Sequence, residues 1–308
     1  MTITAPTAPT TPADVHHDLS VRPLSRHIGA EIRGLDLHRP LDDRDVSAVR
    51  VLLHQYKVLF FPEQHLTPEL HLAFASRFGE PTKGHPVIPG LADHPQVFEI
   101  DYTQAEQYRE YFEQSGKGDY DARVWHTDVT FVEHPPAGSI LNAVVIPEAG
   151  GDTQWSNQAA AFAALSPSLQ DYLRTLTGIH DGRDQFGWIL DHDDRPDDGP
   201  AWEGERITSL EPVEHPVVRT HDETGEEILY VNPGFTRGIK ELDAAEGAAL
   251  LAFLYQHSVR PQFTVRWHWS QGDLAFWDNR ATQHAVVPDF SGQHRVIQRV
   301  TLRGERPA

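Results

Sequence analysis

The segment VWHTDVTF, residues 124–131, places an imidazole and a carboxylate two residues apart, at His126 and Asp128. Its β-branched and aromatic residues predict a strand, in which alternate side chains point to the same side. These two groups could therefore bind one metal ion, although most such pairs are surface residues or satisfied hydrogen bonds. His284, at the end of the strand pattern GDLAFWDNRATQHAV, is a candidate third ligand. Two histidines and one carboxylate leave up to three positions open, which suits non-heme Fe(II) that activates O₂.

The final strand pattern, HRVIQRVTL, carries two arginines of the same parity. Arg295 and Arg299 would share one strand face with Ile297. If that face is buried, both guanidiniums need anionic partners, because an unpaired buried cation costs several kcal/mol. The planar guanidinium fork suits a carboxylate or a sulfonate. The alternative is that both arginines pair with Asp or Glu residues of the chain itself.

The composition excludes several classes of protein. The 308 residues include 26 Lys and Arg against 45 Asp and Glu, a formal net charge of -19, which disfavours nucleic acid as a partner. The chain has no cysteine, so disulfide scaffolds, thiolate zinc sites, iron–sulfur clusters and cysteine nucleophiles are excluded. Because no apolar run approaches the roughly 20 residues that cross a bilayer and no signal peptide is evident, we expect a cytoplasmic protein without membrane contact.

The elements that would position these residues begin after a Thr/Pro/Ala-rich tail at residues 1–18, which is expected to be disordered. Residues 20–37 predict a hairpin, and residues 42–57 predict an amphipathic helix that leads into the apolar strand VLFF. The next helix is expected to begin with Thr67 as N-cap and to stop at Gly79.

Two further helices are predicted to start at Ser166-Pro167 and at Asp243, without regular alternation with strands. Regular βαβ winding is therefore disfavoured. The C-terminal third has short strands with frequent turn residues, a pattern typical of an antiparallel sandwich or barrel. We expect one domain over residues 19–308.

Two segments are expected to cover a binding site. Residues 184–212 are acidic, contain Pro and Gly, and lack periodicity, so they are interpreted as a lid. Residues 101–123, rich in Tyr and charge, are longer than a simple connection and could also cover the pocket.

Four motifs in this order, VWHTDVTF, GGDTQWSN, WDNRATQH and HRVIQRVTL, resemble the taurine dioxygenase family of Fe(II)/2-oxoglutarate-dependent oxygenases. That family includes aryloxyalkanoate dioxygenases and alkylsulfatases. The resemblance extends from about Val21 to Gly304 and implies a mainly β (α+β) fold with a double-stranded β-helix, or jelly-roll, core and flanking helices. It also implies a homodimer or homotetramer.

The resemblance assigns roles to individual residues. It implies that His126, Asp128 and His284 bind the iron, and that Thr153 and Arg295 bind the far carboxylate of 2-oxoglutarate. With O₂, these cofactors would support oxidative decarboxylation to succinate and CO₂, coupled to hydroxylation of a substrate C–H. A carboxylate at position 128, where related halogenating enzymes have Ala or Gly, favours hydroxylation.

The resemblance also outlines a substrate pocket. His85 and Arg299 match the residues that hold a sulfonate, and Phe235 matches an aromatic wall. Taurine-specific members have Tyr and Asn where this chain has Ile88 and Ala122, and these apolar residues cannot hydrogen-bond an amino group. We therefore expect a small anionic substrate with an apolar tail, best an alkyl sulfate ester or an aliphatic sulfonate.

Three alternatives remain from the sequence. One is a dioxygenase of a carboxylate substrate, such as an aryloxyalkanoate or a natural-product intermediate. Another is a jelly-roll module that binds an anion without catalysis. A serine or zinc hydrolase is disfavoured because the chain has no G-x-S-x-G and no H-E-x-x-H motif.

Overall fold

A computed structural model describes residues 19–102, 125–191, 201–202, 205–206, 209–290 and 293–308. The predicted tail at residues 1–18, Ala122 and nearly all of the 101–123 segment lie outside the described residues. So does a large part of the predicted lid. The prediction of one domain over residues 19–308 stays a prediction.

The N-terminal elements follow the sequence closely. Strands β1 (Ser20–Pro23) and β2 (Ala30–Arg33) form the predicted antiparallel hairpin. Helix α1 (Asp43–Tyr56) begins where the Asp42 side chain accepts the Asp45 N–H, and it leads into β3 (Val58–Phe61). One face of α1 is buried because apolar residues recur at helical spacing.

Helix α2 (Pro68–Ala75) has Thr67 as its N-cap, as predicted, but it ends before the expected stop at Gly79. The N–H of Arg77 bonds to the carbonyl of Phe74 and that of Phe78 to Ala75, so the chain tightens into turns of i→i+3 type. The prediction of a helix that reaches Gly79 is therefore wrong by four residues.

Most of the remaining elements are short strands. Their bounds are β4 Phe98–Asp101, β5 Gly138–Val145, β6 Thr153–Asn157, β7 Thr177–His180, β8 Ala201–Trp202, β9 Glu205–Arg206, β10 Val213–Pro216, β11 Val218–Thr220, β12 Glu227–Leu229, β13 Thr236–Ile239, β14 Thr264–Trp267, β15 Leu274–Asp278, β16 Thr282–Val286 and β17 Val296–Leu302.

Two facing sheets form the framework. The larger sheet has seven strands in the order β1-β2-β3-β15-β5-β17-β4, and the smaller has the order β14-β6-β16. All pairings in the two sheets are antiparallel except β2 with β3. The antiparallel C-terminal third that the sequence predicted is therefore present, without βαβ winding. Three smaller groups complete the described strands, with the orders β10-β7-β13, β11-β12 and β8-β9.

Two apolar layers lie on either side of the larger sheet. Its inner face packs against the smaller sheet, where Trp155 of β6 meets Phe60 and Ile297 in one buried cluster. Its outer face packs against α1 and α2. Since Ile297 is on the inner side, its neighbours of the same parity, Arg295 and Arg299, also point between the sheets.

Four more helices lie outside the two sheets: α3 (Gln158–Ala163), α4 (Pro167–Leu173), α5 (Arg183–Asp191) and α6 (Ala244–Ser258). The predicted starts of α4 and α6 are confirmed, and α6 has a full capping box between Asp243 and Glu246. The expectation of a structureless segment from residue 184 is wrong, because α5 and the short β8-β9 pair lie there. Among the described residues, no helix is long and apolar enough to span a membrane.

Candidate active site

His126 and Asp128 are brought together by a turn rather than by the strand that their neighbours predict. Only His126 pairs like a strand residue, in a single bridge to His284 with N···O distances of 2.9 and 2.8 Å. The chain then turns, and Val129 adopts a φ of 57°, which is unusual for a β-branched residue. Strand-like pairing therefore ends at His126, and the turn that follows brings the Asp128 carboxylate close to the His126 ring.

Asn279 holds this turn in place. Its Oδ1 accepts the backbone N–H of Asp128 at 2.9 Å, and its Nδ2 donates to the Asp128 carbonyl at 3.0 Å and to the Pro136 carbonyl at 2.9 Å. Asn279 is fully buried, so these bonds do not compete with solvent. A strained turn persists only where its surroundings fix it, and the Asn279 amide supplies that restraint.

Three potential ligand atoms converge at this point. The Nε2 atoms of His126 and His284 lie 3.7 and 3.9 Å from Asp128 Oδ1, and one ligand atom from each residue lies within 4.8 Å of the others. Two atoms bound to one ion through bonds of about 2.1 Å are at most roughly 4.2 Å apart, so the two Nε2–Oδ1 distances of 3.7 and 3.9 Å are compatible with a shared metal. The donor set of two imidazoles and one carboxylate is the facial set that suits Fe(II).

The surroundings keep Asp128 and His284 in the form that binds a metal. Burial would raise the pKa of Asp128, but Arg299 and the two histidines lower it to about 2, and the Ser139 hydroxyl donates to its Oδ2 at 2.8 Å. Burial, with the charge of His126, lowers the pKa of His284 to about 3. The ring of His284 lies between Trp155 and Trp277, with centroids 6.4 and 4.9 Å away, which fixes its plane.

Arg295 is a buried cation without a hydrogen-bonded anion in the described chain. It is 0% exposed, and none of its three guanidinium nitrogens has a hydrogen-bond partner among the described residues. The rings of Tyr102 and Phe290 lie 5.1 and 5.3 Å from its guanidinium carbon. Burial lowers the pKa of Arg295, and it outweighs Tyr102 and the charge of Asp152, which act to raise it. These orphaned donors fit the carboxylate of a cosubstrate.

The GGDT segment lies directly against Arg295. A Cβ at Gly151, whose φ is +73°, would lie 3.1 Å from Arg295 Nε, so a side chain there would crowd the guanidinium. Asp152 is bonded to Arg266 of β14, at 2.5 Å, and to His268, directly after that strand, at 2.8 Å. Thr153 follows at the start of β6, with its hydroxyl accepting the Trp269 indole N–H at 2.9 Å. Thr153 is thus buried two residues after Gly151, which lies against Arg295; its role with Arg295 stays a prediction.

Arg299 and His85 both lie against the ring of Phe98, at 5.3 and 5.4 Å from its centroid. Arg299 is 7% exposed; its Nη1 donates to Asp128 Oδ1, while its Nε is buried without a partner among the described residues. The sequence left open that both arginines pair with carboxylates of the chain itself. Among the described residues, Arg299 has such a hydrogen-bonded partner, Asp128, and Arg295 has none.

An apolar wall connects His85 with the metal ligands. Phe235 stands perpendicular to the His126 ring, with centroids 6.1 Å apart, and contacts Phe131 at 4.8 Å. Ile88 packs against the same buried cluster, and Phe186 of α5 lies 4.7 Å from His85. All the predicted site residues in the described chain thus fall in one continuous region between the sheets and their loops.

Several residues of this region were not identified from the sequence: Asn279, Ser139, Tyr102, Phe290 and Trp269. A signal existed for Asn279, since WDNRATQH places polar residues directly after the apolar strand LAFW. The others act through contacts between distant segments, which no local pattern encodes.

Comparison with known proteins adds an independent finding. The family model described as taurine catabolism dioxygenase TauD, TfdA family, matches residues 20–301. An alpha-ketoglutarate-dependent sulfate ester dioxygenase from Pseudomonas putida is 39% identical over 94% of this chain and 91% of its own length. An alkylsulfatase from Acinetobacter baylyi is 37% identical over 93% of this chain and 86% of its own.

A solved structure described as a taurine dioxygenase from Burkholderia xenovorans superposes with a TM-score of 0.77. It is 40% identical and covers 94% of this chain and 93% of its own. This likeness confirms the predicted fold class, a mainly β structure with flanking helices around a jelly-roll core.

Proposed function

This chain belongs to the TauD/TfdA family of taurine catabolism dioxygenases, and from that premise we propose that its prime substrate is an alkyl sulfate ester or a similar monoanion with an apolar tail. The enzyme class is an Fe(II)- and 2-oxoglutarate-dependent dioxygenase, as in the relatives with which it aligns over nearly its whole length. A hydrolase and a non-catalytic binding module are therefore set aside.

One observation carries the substrate proposal: a buried polar end and an apolar wall meet beside the three candidate ligands. Arg299 and His85 can hold an anionic head group at Phe98, and Ile88, Phe131, Phe186 and Phe235 offer only apolar contact to what extends from it. An ammonium group placed against that wall would lose its hydration without a partner. A hydrocarbon tail gains free energy there, about 0.8 kcal/mol for each buried CH₂.

We assign the cofactor sites by the same reasoning. His126, Asp128 and His284 would hold Fe(II), while Arg295 and the Thr153 hydroxyl would bind the distal carboxylate of 2-oxoglutarate. The bound metal and cosubstrate would supply the oxidising power, consuming O₂ and releasing succinate and CO₂. The chain's contribution is placement: fixed ligands, a fixed cosubstrate, and a substrate C–H held between the two.

The proposed reaction on an alkyl sulfate balances without a further reagent. Hydroxylation of the carbon that carries the sulfate gives an unstable product, which separates into an aldehyde and free sulfate. For each O₂ and 2-oxoglutarate consumed, one succinate, one CO₂, one aldehyde and one sulfate should appear.

The relatives' names disagree on the substrate, since the sulfate ester dioxygenase and the taurine dioxygenase have nearly the same identity to this chain. Ile88 supports the sulfate ester, because it packs in the apolar cluster and offers no hydrogen bond to an amine. A carboxylate substrate is the second candidate, since the Arg299 fork suits a carboxylate as well.

A succinate-release screen tests the proposal. The purified enzyme with Fe(II), 2-oxoglutarate and O₂ should release succinate with hexyl and octyl sulfate, accompanied by equimolar sulfate, and much less with taurine. Phenoxyacetate serves as the carboxylate comparison. A rank order led by taurine or by phenoxyacetate would refute the sulfate ester assignment.

Two variants separate the proposed anchors. Arg295→Ala should raise the 2-oxoglutarate requirement far more than that for the alkyl sulfate, and Arg299→Ala should do the reverse. If both variants shift both requirements alike, the division between cosubstrate and substrate anchors is wrong. The homo-oligomer and the cytoplasmic location stay predictions of the sequence.

A further inference from the structure

The imidazole of His85 is held in one tautomer by its own loop. Its Nδ1 accepts the backbone N–H groups of Val87 and Ile88, at 3.2 and 3.3 Å. An atom that accepts two N–H bonds does not carry a proton, so the ring proton of neutral His85 is on Nε2. His85 therefore offers a single hydrogen-bond donor, and its other nitrogen is committed to the loop.

The surroundings of His85 also disfavour its protonated form. The side chain is buried, with the rings of Phe98, Phe131 and Phe186 within 4.7 to 6.2 Å of its own ring. The charged groups that act on it are Arg299 of β17 and Asp128 of the metal turn. Burial lowers its pKa to about 3, with Arg299 adding to the shift and Asp128 opposing it.

Asp128 offsets part of the positive charge that Arg299 can offer to a substrate. Its Nη1 donates to Asp128 Oδ1, which leaves the unpartnered Nε and the rest of the fork for another anion. Among the described residues, the buried charges that remain at this site are Arg295, Arg299 and Asp128, a sum of one positive charge, because the nearby carboxylate of Asp152 is paired with Arg266. Fe(II) and the dianion of 2-oxoglutarate add equal and opposite charges and leave that sum unchanged.

We propose that this site selects substrates by charge: the neutral Nε2–H of His85 and the shared guanidinium of Arg299 accept a singly charged head group and reject a doubly charged one. A monoanion such as a sulfate ester neutralises the site. A phosphate monoester, of the same tetrahedral shape but with two charges above its second pKa of about 6, leaves one negative charge buried without a partner. This inference rests on the proposed function, since it assumes that His85 and Arg299 hold the head group.

Binding under nitrogen tests the inference without turnover. The enzyme with Fe(II) and 2-oxoglutarate is titrated calorimetrically with hexyl sulfate and with hexyl phosphate, at about pH 8 and about pH 5.5. At the higher pH, we expect hexyl sulfate to bind at least about tenfold more tightly than hexyl phosphate. At the lower pH, hexyl phosphate should become a monoanion and bind within about threefold of hexyl sulfate, whose own affinity changes less than about twofold.

Equal affinities at the higher pH, or a preference that does not depend on pH, would overturn the proposal. If neither hexyl sulfate nor hexanesulfonate binds, the proposed substrate class fails. The pair phenoxyacetate and phenyl phosphate then measures the charge preference by the same criterion. Absence of binding by every one of these monoanions would overturn the charge proposal too.

The variant His85→Asn tests whether His85 acts on the head group as a neutral hydrogen-bond donor or as a cation. Asn Oδ1 can accept the same two backbone N–H groups, so the loop is retained, but its amide cannot reach as far as Nε2. Loss of a neutral donor should weaken hexyl sulfate and hexyl phosphate by similar factors, about tenfold each. Loss of a cation would weaken the dianion more, and that result would contradict the inference. The matched control is His71→Asn. His71 is a buried histidine that bonds to the Ile140 carbonyl and not to His85 or Arg299, so its substitution should leave both affinities unchanged.

Discussion

Two buried arginines of this protein, Arg280 and Arg295, have opposite surroundings. Arg280 is 7% exposed and makes two bonds to Asp278, at 2.9 and 2.8 Å, and bonds to Asp222 and Glu223 at 2.9 and 2.6 Å. Arg295 is 0% exposed, and in the described chain its guanidinium has no hydrogen-bonded anion. The residue type and the burial are alike, and the partners differ completely.

The pKa values of Arg280 and Arg295 shift in opposite directions because their partners differ. Burial acts against the charge of Arg280, but Asp278 outweighs it and raises the Arg280 pKa, whereas burial prevails at Arg295 and lowers its pKa. A paired buried charge stabilises the fold relative to its broken pair, while an unpaired one costs free energy. A chain retains the second arrangement where a ligand supplies the missing anion. The contacts of Arg280 assign it to the scaffold, and we propose that Arg295 belongs to a binding site.

The largest effect is expected from Arg295→Ala. Removing one partner of a buried charge pair costs about 3–5 kcal/mol, so the dissociation constant of 2-oxoglutarate should rise by roughly a hundredfold or more. The thermal midpoint of the ligand-free protein should stay the same or rise, because an unpaired buried charge is lost. Calorimetry with 2-oxoglutarate and thermal unfolding measure the two quantities. A large fall in the midpoint, with little change in binding, would place Arg295 in the scaffold instead.

Asp278→Asn should give the opposite pattern. The change removes the charge that Arg280 faces, and it replaces one of the two oxygens that accept from Arg280 and from the His221 Nε2–H by an NH₂ donor. Because Arg280 keeps Asp222 and Glu223, we expect a loss near the lower end of the range for a broken buried pair, about 3 kcal/mol of unfolding free energy. Urea unfolding measures the loss. The affinity of the folded variant for 2-oxoglutarate should equal that of the wild type, and a weakened affinity would show that the two regions are coupled.

Asn279 lies between Asp278 and Arg280 in sequence but bonds to the turn at Asp128. Its substitution tests whether it supports metal binding or only the stability of the fold. Asn279→Asp replaces the Nδ2 donor by an oxygen that faces the carbonyls of Asp128 and Pro136. Displacing a group that orients a metal ligand typically costs 10–100-fold in metal affinity, and we expect a change of that size for Fe(II) or Mn(II).

Asn142→Asp is the matched control for this change. Asn142 is a buried asparagine of β5 whose Nδ2 donates to the Leu66 carbonyl at 3.0 Å, with no bond to the metal turn. It should destabilise the fold while its metal affinity stays near that of the wild type. Equal losses of metal affinity in both variants would mean that Asn279 acts only through stability.

The same contrast explains what the sequence could predict. Strand parity predicted that Arg295 and Arg299 share one face, and capping residues located the starts of helices, because both signals are local. The pairing state of each arginine depends on segments distant in sequence: Asp222 and Glu223 for Arg280, Tyr102 and Phe290 for Arg295. The turn at Asp128 was mistaken for a strand, because the restraint that overrides the β-branched residues comes from Asn279, 151 positions away.

The smallest effect is expected in the acid dependence of stability. Burial opposes the ionised form of Asp278, but Arg280 and His221 outweigh it and lower the carboxyl pKa from its ordinary value of 3.8. Since the folded-state pKa is lowered, the stabilisation by this carboxylate is full above the unfolded pKa and is lost as the pH falls toward the folded one. The difference in unfolding free energy between the wild type and Asp278→Asn should therefore narrow by roughly 0.6 kcal/mol between about pH 6 and pH 3.5. Arg295 has no hydrogen-bonded carboxylate in the described chain and should contribute little to this slope. Arg295→Ala should therefore follow the wild-type curve closely. A change of slope as large as that of Asp278→Asn would show that Arg295 is strongly paired with an acidic residue, and it would contradict the contrast between the two arginines.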